Sequence, residues 1–240
     1  MYVPCQNNGM TRYQWILFDA DGTLFDYEQA EAYALEGTFR DLSLPFSPPY
    51  AAAYQAINHQ IWLDFEAGRI TSSALRVRRF ELLFERLALA VDPQAFSARY
   101  LINLSRQGAL MPGAQQLVER LSASHCLAII TNGLSDVQRP RLACSTIEPY
   151  FSGVFISEEM GVSKPDPAYF AHVFARLAQH SPPAEPTTTL VVGDSLSSDI
   201  QGGLNAGLAT CWFNPARKPA NPHIPADFEI NKLEELYNIL

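Results

Sequence analysis

The stretch Trp15-Ile16-Leu17-Phe18-Asp19-Ala20-Asp21-Gly22-Thr23-Leu24 decides how this chain is read. An unbroken apolar run ending in a polar turn predicts a strand covered on both faces, as in a parallel sheet; a half-exposed strand would alternate. Two carboxylates, Asp19 and Asp21, follow it two residues apart. Where a strand has just ended and the chain starts to turn, both can face one spot. Gly22 permits the tight turn and leaves backbone N–H groups uncovered.

Working outward, four further apolar runs rich in Ile, Val, Leu and Phe complete a set with residues 14–18: 126–130, 153–157, 189–193 and 209–213. From Cys126 on, helical segments over 134–143, 167–179 and 199–206 separate them, and strands alternating with helices predict a parallel sheet with helices on both faces. Residues 228–230 and 232–240 read as a last short strand and a terminal helix. Pro140 falls inside a helical pattern and is expected to kink that helix or move its start. Between the first and second runs the rhythm changes. Four amphipathic helices are predicted over 28–40, 49–66, 72–89 and 93–107, with no strand among them. Such an insert is expected to pack as its own small domain, with Trp62, Phe65, Phe80 and Phe84 as its core and Arg76, Arg78 and Arg79 as a solvated face. A lesser reading gives one of those arginines, or His59, to the far end of a substrate.

The strand ends carry the polar chemistry. The second run ends in Thr131-Asn132-Gly133, a hydroxyl followed by amides at a helix start, which is a seat for phosphate. The fourth ends in Gly193-Asp194, with Asp199 opening the next helix. Between the third and fourth, Ser163-Lys164-Pro165-Asp166-Pro167 places Lys164 just before a helix that Pro167 starts. Each residue also has a plain structural reading. Thr131, Asn132 and Asp199 can be helix caps, Asp26 reads as a turn or cap residue, Ser195, Ser197 and Ser198 as loop residues, and Lys164 alone as a surface lysine. In an open parallel sheet ligands bind beyond the carboxyl ends of strands where the strand order reverses. With the first strand central, Asp19, Asp21, Asp194 and Asp199 converge. At about 4 Å and an effective dielectric of about 20, each pair of like charges costs roughly 4 kcal/mol. A divalent cation, Lys164 and a protonated carboxyl would offset this, and oxygen ligands favour magnesium over zinc.

Asp-x-Asp-Gly-Thr, Thr-Asn, Lys-Pro and Gly-Asp-x-x-x-x-Asp, in that order, resemble the four motifs of the haloacid dehalogenase superfamily, and the helical insert resembles the cap of its helical-cap class. The likeness runs over nearly the whole chain from Trp15. It implies an α/β fold with a Rossmann-like core, a parallel sheet of strand order 5-4-1-2-3, a catalytic core over 1–25 and 109–240, and a helical cap over 26–108. It also implies a phosphatase: Asp19 as nucleophile, Asp21 as general acid and base, Thr131, Asn132 and Lys164 on the phosphoryl group, magnesium on Asp19, Asp21 and Asp194, and Asp199 behind them. The stretch from Asn58 to Phe65 with Gly68-Arg69-Ile70-Thr71 in the insert, and Ile156-Ser157-Glu158-Glu159 and the run from Gly203 to Trp212 in the core, resemble the noncanonical pyrimidine nucleotidases. That implies a 5'-nucleotidase for pyrimidine nucleoside monophosphates. Pro140 and the proline-rich loop 182–186 depart from that pattern, away from the motifs. The alternatives are a phosphatase for phosphoglycolate or a sugar phosphate, a phosphomutase, a dehalogenase and a silent binding module. A dehalogenase needs neither Asp21 nor a metal, and a silent module would lack Asp19, Asp21 or Lys164.

Bulk properties agree. The chain has 240 residues, 48% of them hydrophobic, which is enough for a core domain plus a smaller one. A net charge of -8 argues against binding a nucleic-acid polymer, yet leaves room for a small anion at a local cation. No run is long enough for a membrane span and the N-terminus has no signal-peptide pattern. Cys5, Cys126, Cys144 and Cys211 form no C-x-x-C pair and are expected to be free thiols. The resulting expectation is a cytoplasmic enzyme, monomer or homodimer, acting on a small phosphorylated substrate, with neither nucleic acid nor membrane as a partner.

Overall fold

The computed structural model of the protein describes residues 11–240. The chain runs through β1 (Trp15–Phe18), α1 (Tyr27–Asp41), α2 (Pro48–Glu66), α3 (Ser72–Leu87), α4 (Pro93–Ser105), α5 (Ala114–Leu121), β2 (Cys126–Thr131), α6 (Ser135–Ala143) and β3 (Gly153–Ile156). It continues through α7 (Ser157–Met160), α8 (Pro167–Leu177), β4 (Thr189–Gly193), a π-helical turn Leu196–Ile200, α9 (Gln201–Asn205), β5 (Ala209–Phe213) and β6 (Phe228–Ile230).

Among the described residues the six strands are parallel and lie in the order β3-β2-β1-β4-β5-β6. The expected order 5-4-1-2-3 is therefore found, with β6 added beyond β5. Successive side chains on a strand point to opposite faces, and the two apolar layers follow that alternation. Ile16 and Phe18 join Leu127, Ile129, Leu190 and Val192 under Leu117, Val118 and Leu121 of α5. Trp15 and Leu17 join Ala128, Ile130 and Val191 against Tyr169, Phe170, Val173 and Leu177 of α8. Burial of each such side chain contributes about 1.5–3 kcal/mol. Covering on both faces is why the strands read as continuous apolar runs.

The chain divides into two compact units. One takes the residues up to Asp26, Ala109–Ser135 and Leu142–Leu240; the other takes Tyr27–Gly108 together with Asp136–Arg141. Within the sheet unit, the segments that flank Tyr27–Gly108 run side by side. The Asp26 N–H donates to the Ala109 carbonyl and the Met111 N–H to the Leu24 carbonyl, both at 2.9 Å.

In the helical unit Phe96 is a hub, with the rings of Phe39, Phe80 and Phe84 each centred 5.0 Å away. Phe80 and Phe84 are core residues as expected. Trp62 and Phe65 are only half-buried, packed edge to face on each other. They sit at the end of α2, where every residue of 62–66 is half-exposed, so no side of that turn is wholly inside. Arg79 also departs from the expected solvated face: it is 1% exposed, while Arg76 and Arg78 keep their solvent contact. Its guanidinium donates to Asn58 Oδ1 and lies 5.0 Å from the Tyr100 ring centre. Asn58 in turn donates to Glu31 Oε1 at 2.7 Å, so three helices share one buried polar chain.

Pro140 sits inside α6, which starts at Ser135 regardless. The expected terminal helix is found as a 3-10 helix, Leu233–Asn238. With three residues per turn, Leu233 and Leu236 fall on the same side, and both are buried in the core. Cys144 and Cys211 are free thiols as expected. Cys126 is disulfide-bonded, a pairing that no spacing signal in the sequence announces, and Cys5 lies outside the described residues. Among the described residues no helix is long and apolar enough to cross a membrane.

Candidate active site

β1 is flanked by β2 on one side and β4 on the other, so the strand order reverses at β1. Three neighbouring strand ends thus present Asp19, Thr131 and Gly193-Asp194 together, at the switch point where such sheets bind ligands. The Lys164 ammonium joins them from the loop before α8. It donates to Asp19 Oδ1 at 2.7 Å, Asp199 Oδ1 at 2.7 Å and the Ile130 carbonyl at 3.0 Å. All three donors of this buried ammonium are used, which is what lets a lysine at 1% exposure stay charged.

Two glycines allow the acids to come this close. Gly22 adopts φ +85, and a Cβ there would sit 2.7 Å from Asp194 Oδ2. A Cβ on Gly193 would sit 2.2 Å from Asp199 Oδ2. Asp199 lies in the π-helical turn, a feature often found at functional sites. The cap of that turn is Ser195, whose hydroxyl accepts from the Ser198 N–H, so Asp199 is not the expected helix cap. Its Oδ2 instead accepts from the Ser195 N–H at 3.1 Å.

Asp19, Asp194 and Asp199 offer carboxylate oxygens that all lie within 4.8 Å of one another. Burial pushes the Asp19 carboxyl well above the ordinary range; Lys164 pulls it down, and Asp199 and Asp194 push it up again. Burial and then Asp199 push Asp194 up to about 7. For Lys164 burial opposes the charge, but Asp19 and Asp199 outweigh it and leave the lysine above its ordinary value. Three carboxylates against one ammonium are a site short of positive charge. Their donors are hard oxygens, and both oxygens of Asp199 are already taken. A divalent cation of the magnesium type fits the remaining oxygens of Asp19 and Asp194.

Asp21 is not in that acid group. Its neighbour Gly22 has its own N–H bonded to the Phe25 carbonyl, so that amide is not uncovered as expected. The Thr131 hydroxyl oxygen accepts from the Gly133 N–H at 2.9 Å, which leaves its proton to donate elsewhere. The Asn132 side chain is committed. Its Oδ1 accepts from the Lys164 N–H at 2.9 Å and its Nδ2 donates to the Lys164 carbonyl at 2.8 Å. This amide grips the backbone that carries the ammonium, and only its main-chain N–H is left for a phosphate. Sequence reasoning missed Trp212, whose indole N–H donates to the Asp194 carbonyl at 2.9 Å. The strand register, Gly193 opposite Trp212, is the signal that finds it.

Residues 13–207 match the family model of the haloacid dehalogenase-like hydrolases. The HAD-hydrolase YfnB of Bacillus subtilis is 42% identical over 96% of this chain and 97% of its own. Its crystal structure bound to magnesium superposes with a TM-score of 0.90 over 96% of this chain and 99% of its own, at 40% identity. The pyrimidine 5'-nucleotidase YjjG of Escherichia coli is 36% identical over 95% of this chain and 98% of its own. The pyrimidine 5'-nucleotidase PynA of Streptococcus pneumoniae is 34% identical over 95% of each. With its four polar stretches gathered at adjoining strand ends and these relatives spanning nearly its full length, the chain belongs to the haloacid dehalogenase-like hydrolases.

Proposed function

We propose that this hydrolase is a magnesium-dependent phosphomonoesterase that forms an aspartyl phosphate on Asp19, and that its substrates are pyrimidine nucleoside 5'-monophosphates. One observation carries the chemistry. A carboxylate, Asp19, has one oxygen tied to Lys164 at 2.7 Å within a group of acids that calls for a cation. The narrower choice of substrate is supported by the two pyrimidine nucleotidases at 34–36% identity.

In this reading a carboxylate oxygen of Asp19 attacks phosphorus as the bond to the leaving oxygen breaks, and Asp21 gives the leaving oxygen its proton. Asp21 then takes a proton from water. The water attacks the acyl phosphate, the Asp19–phosphorus link breaks, and inorganic phosphate leaves. The Thr131 hydroxyl, the Asn132 main-chain N–H and the Lys164 ammonium, which gives up one of its three contacts to do so, hold the phosphoryl oxygens, more tightly as charge spreads over them. Asn132 and Asp199 hold Lys164 in place. Asp19, Asp194 and the Asp21 carbonyl would hold magnesium, which when bound screens the two anions as they meet. Residues 26–108 serve as the cap that chooses the substrate, on a catalytic core of 1–25 and 109–240.

The test is a hydrolysis panel with magnesium over UMP, dUMP, dTMP, purine monophosphates, phosphoglycolate and sugar phosphates. We expect the deoxypyrimidine monophosphates to be preferred, EDTA to stop turnover, and Asp19→Asn to abolish it in a folded protein. A strong preference for phosphoglycolate would replace the substrate assignment, and near-normal turnover by Asp19→Asn would remove the nucleophile.

A further inference from the structure

We infer that Glu158 and Glu159 are positioning residues for the phosphate seat, two carboxylates that hold Ser135 and through it the loop that carries Thr131 and Asn132. The inference deepens the phosphoester reading and rests on it. Both side chains close on one residue. Glu158 Oε2 accepts from the Ser135 N–H at 2.9 Å, and Glu159 Oε1 accepts from the Ser135 hydroxyl at 2.5 Å. Ser135 is the first residue of α6 and stands three places after Asn132. The glutamates belong to α7, 23 and 24 residues further along the chain.

These contacts close a circuit. At its start the loop is fixed by the sheet, where Thr131 lies opposite Ile156 in the β2–β3 register. At its end it is fixed by Glu158 and Glu159, which follow Ile156 by two and three residues. One short stretch, 156–159, therefore grips both ends of residues 131–135. Between those ends the loop is fastened again. Thr131 Oγ1 accepts from the Gly133 N–H at 2.9 Å, the Asn132 side chain is spent on the Lys164 backbone, and Leu134 is buried.

A helix start that needed only a cap would call for less. The first N–H groups of a helix are ordinarily met by a serine, threonine or aspartate just before it. Leu134 holds that place and has no side-chain oxygen. An acceptor is brought in from another element instead, and a second one takes the serine hydroxyl. Both are carboxylates, whose hydrogen bonds are roughly twice as strong as neutral ones. With the Ser135 N–H taken by Glu158, the pair acts by geometry: it sets the Thr131 hydroxyl and the Asn132 N–H and does not itself meet the substrate. Misplacing a binding group by about 1 Å can cost on the order of a hundredfold, so the far end of this loop matters to the seat at its start.

The experiment uses the full chain and its variants Glu158→Ala, Glu158→Gln and Glu159→Ala, with binding measured by titration calorimetry. The probes are magnesium alone, then inorganic phosphate at saturating magnesium. For Glu158→Ala we expect phosphate to bind about tenfold more weakly, the loss of one charged hydrogen bond. Its magnesium affinity should stay within about twofold of wild type, because Asp19, Asp21 and Asp194 lie at other strand ends. Glu158→Gln keeps an oxygen for the Ser135 N–H and should restore most of the phosphate affinity. Glu159 is exposed, and Glu159→Ala, which gives up only the hydroxyl contact, should lose about threefold; if Glu158→Ala does not fold, that variant decides. A role confined to folding would lower the melting temperature and leave phosphate affinity unmoved. Wild-type phosphate affinity in the folded alanine variants would overturn the inference while the phosphoester reading stands. So would a Glu158→Gln variant as weak as Glu158→Ala, or a magnesium affinity that falls as far as the phosphate affinity. If the wild-type protein neither binds phosphate nor hydrolyses any phosphomonoester, that reading fails and this one falls with it.

Discussion

Lys164 holds two carboxylates at 2.7 Å with its side chain 1% exposed, so removing it does more than subtract two ion pairs. Lys164→Met leaves Asp19 and Asp199 buried, like-charged and without their cation. Breaking a buried pair from one side typically costs 3–5 kcal/mol, about the size expected here at pH 8 in the absence of metal. The cost should shrink at pH 5, because Asp19 already titrates above the ordinary range and takes up a proton more readily still once the ammonium is gone. Urea unfolding at the two pH values checks this; an equal loss at both would show that the ammonium is not what keeps Asp19 ionised. Asn132 acts one step further out. Asn132→Ala should lower turnover and phosphate affinity by about tenfold while leaving Asp19 and magnesium binding intact, since it frees the Lys164 backbone and removes nothing that touches the acids. That division of labour was out of reach of the sequence. Asp19, Thr131, Lys164 and Asp194 could be found because each ends a strand or precedes a helix in a fixed order. The use of the Asn132 amide depends on a loop 32 residues away, and the position of Trp212 on a strand register.

Among the elements, the turn after β1 makes the tightest demand. Gly22 combines φ +85 with a site where a Cβ would lie 2.7 Å from Asp194 Oδ2. Gly22→Ala should therefore cost roughly 1–2 kcal/mol for the left-handed backbone and should also push Asp194 away. The expected result is a modest fall in melting temperature with a large loss of magnesium affinity by calorimetry. A loss of stability with unchanged magnesium binding would mean that Asp194 swings aside freely. Strands and long helices were legible because burial on both faces and a 3.6-residue period leave a mark on composition. The elements that were misread are those in which packing overrides pattern. Asp199 lies in a π-helical turn whose cap is Ser195, and Trp62 and Phe65 sit at a helix end that the core does not cover.

For the whole molecule, three carboxyls titrate above the ordinary range: the buried Asp19, the half-buried Asp194 at about 7 and the buried Glu31 at about 7. Glu31 belongs to the helical unit, where burial raises it and Asn58, Arg79 and Tyr27 only partly hold it down. A carboxyl whose pKa is higher in the folded than in the unfolded chain binds more protons when folded. Its contribution is complete below about pH 4.5, and it is lost as the pH climbs through about 7. Without metal, stability should therefore fall from pH 5 to pH 8, the reverse of a protein held by ordinary surface acid pairs. Magnesium should flatten the share due to Asp19 and Asp194, which can ligate it, and leave the share due to Glu31. Glu31→Gln removes that second share, worth at most about 3 kcal/mol for a shift of this size, while its amide oxygen still accepts from Asn58. Urea unfolding at pH 5 and 8, with EDTA or with magnesium, separates the two shares. The pH slope that survives magnesium in the wild type should vanish in Glu31→Gln, and an identical residual slope in both proteins would place that proton somewhere other than the helical unit's buried polar chain.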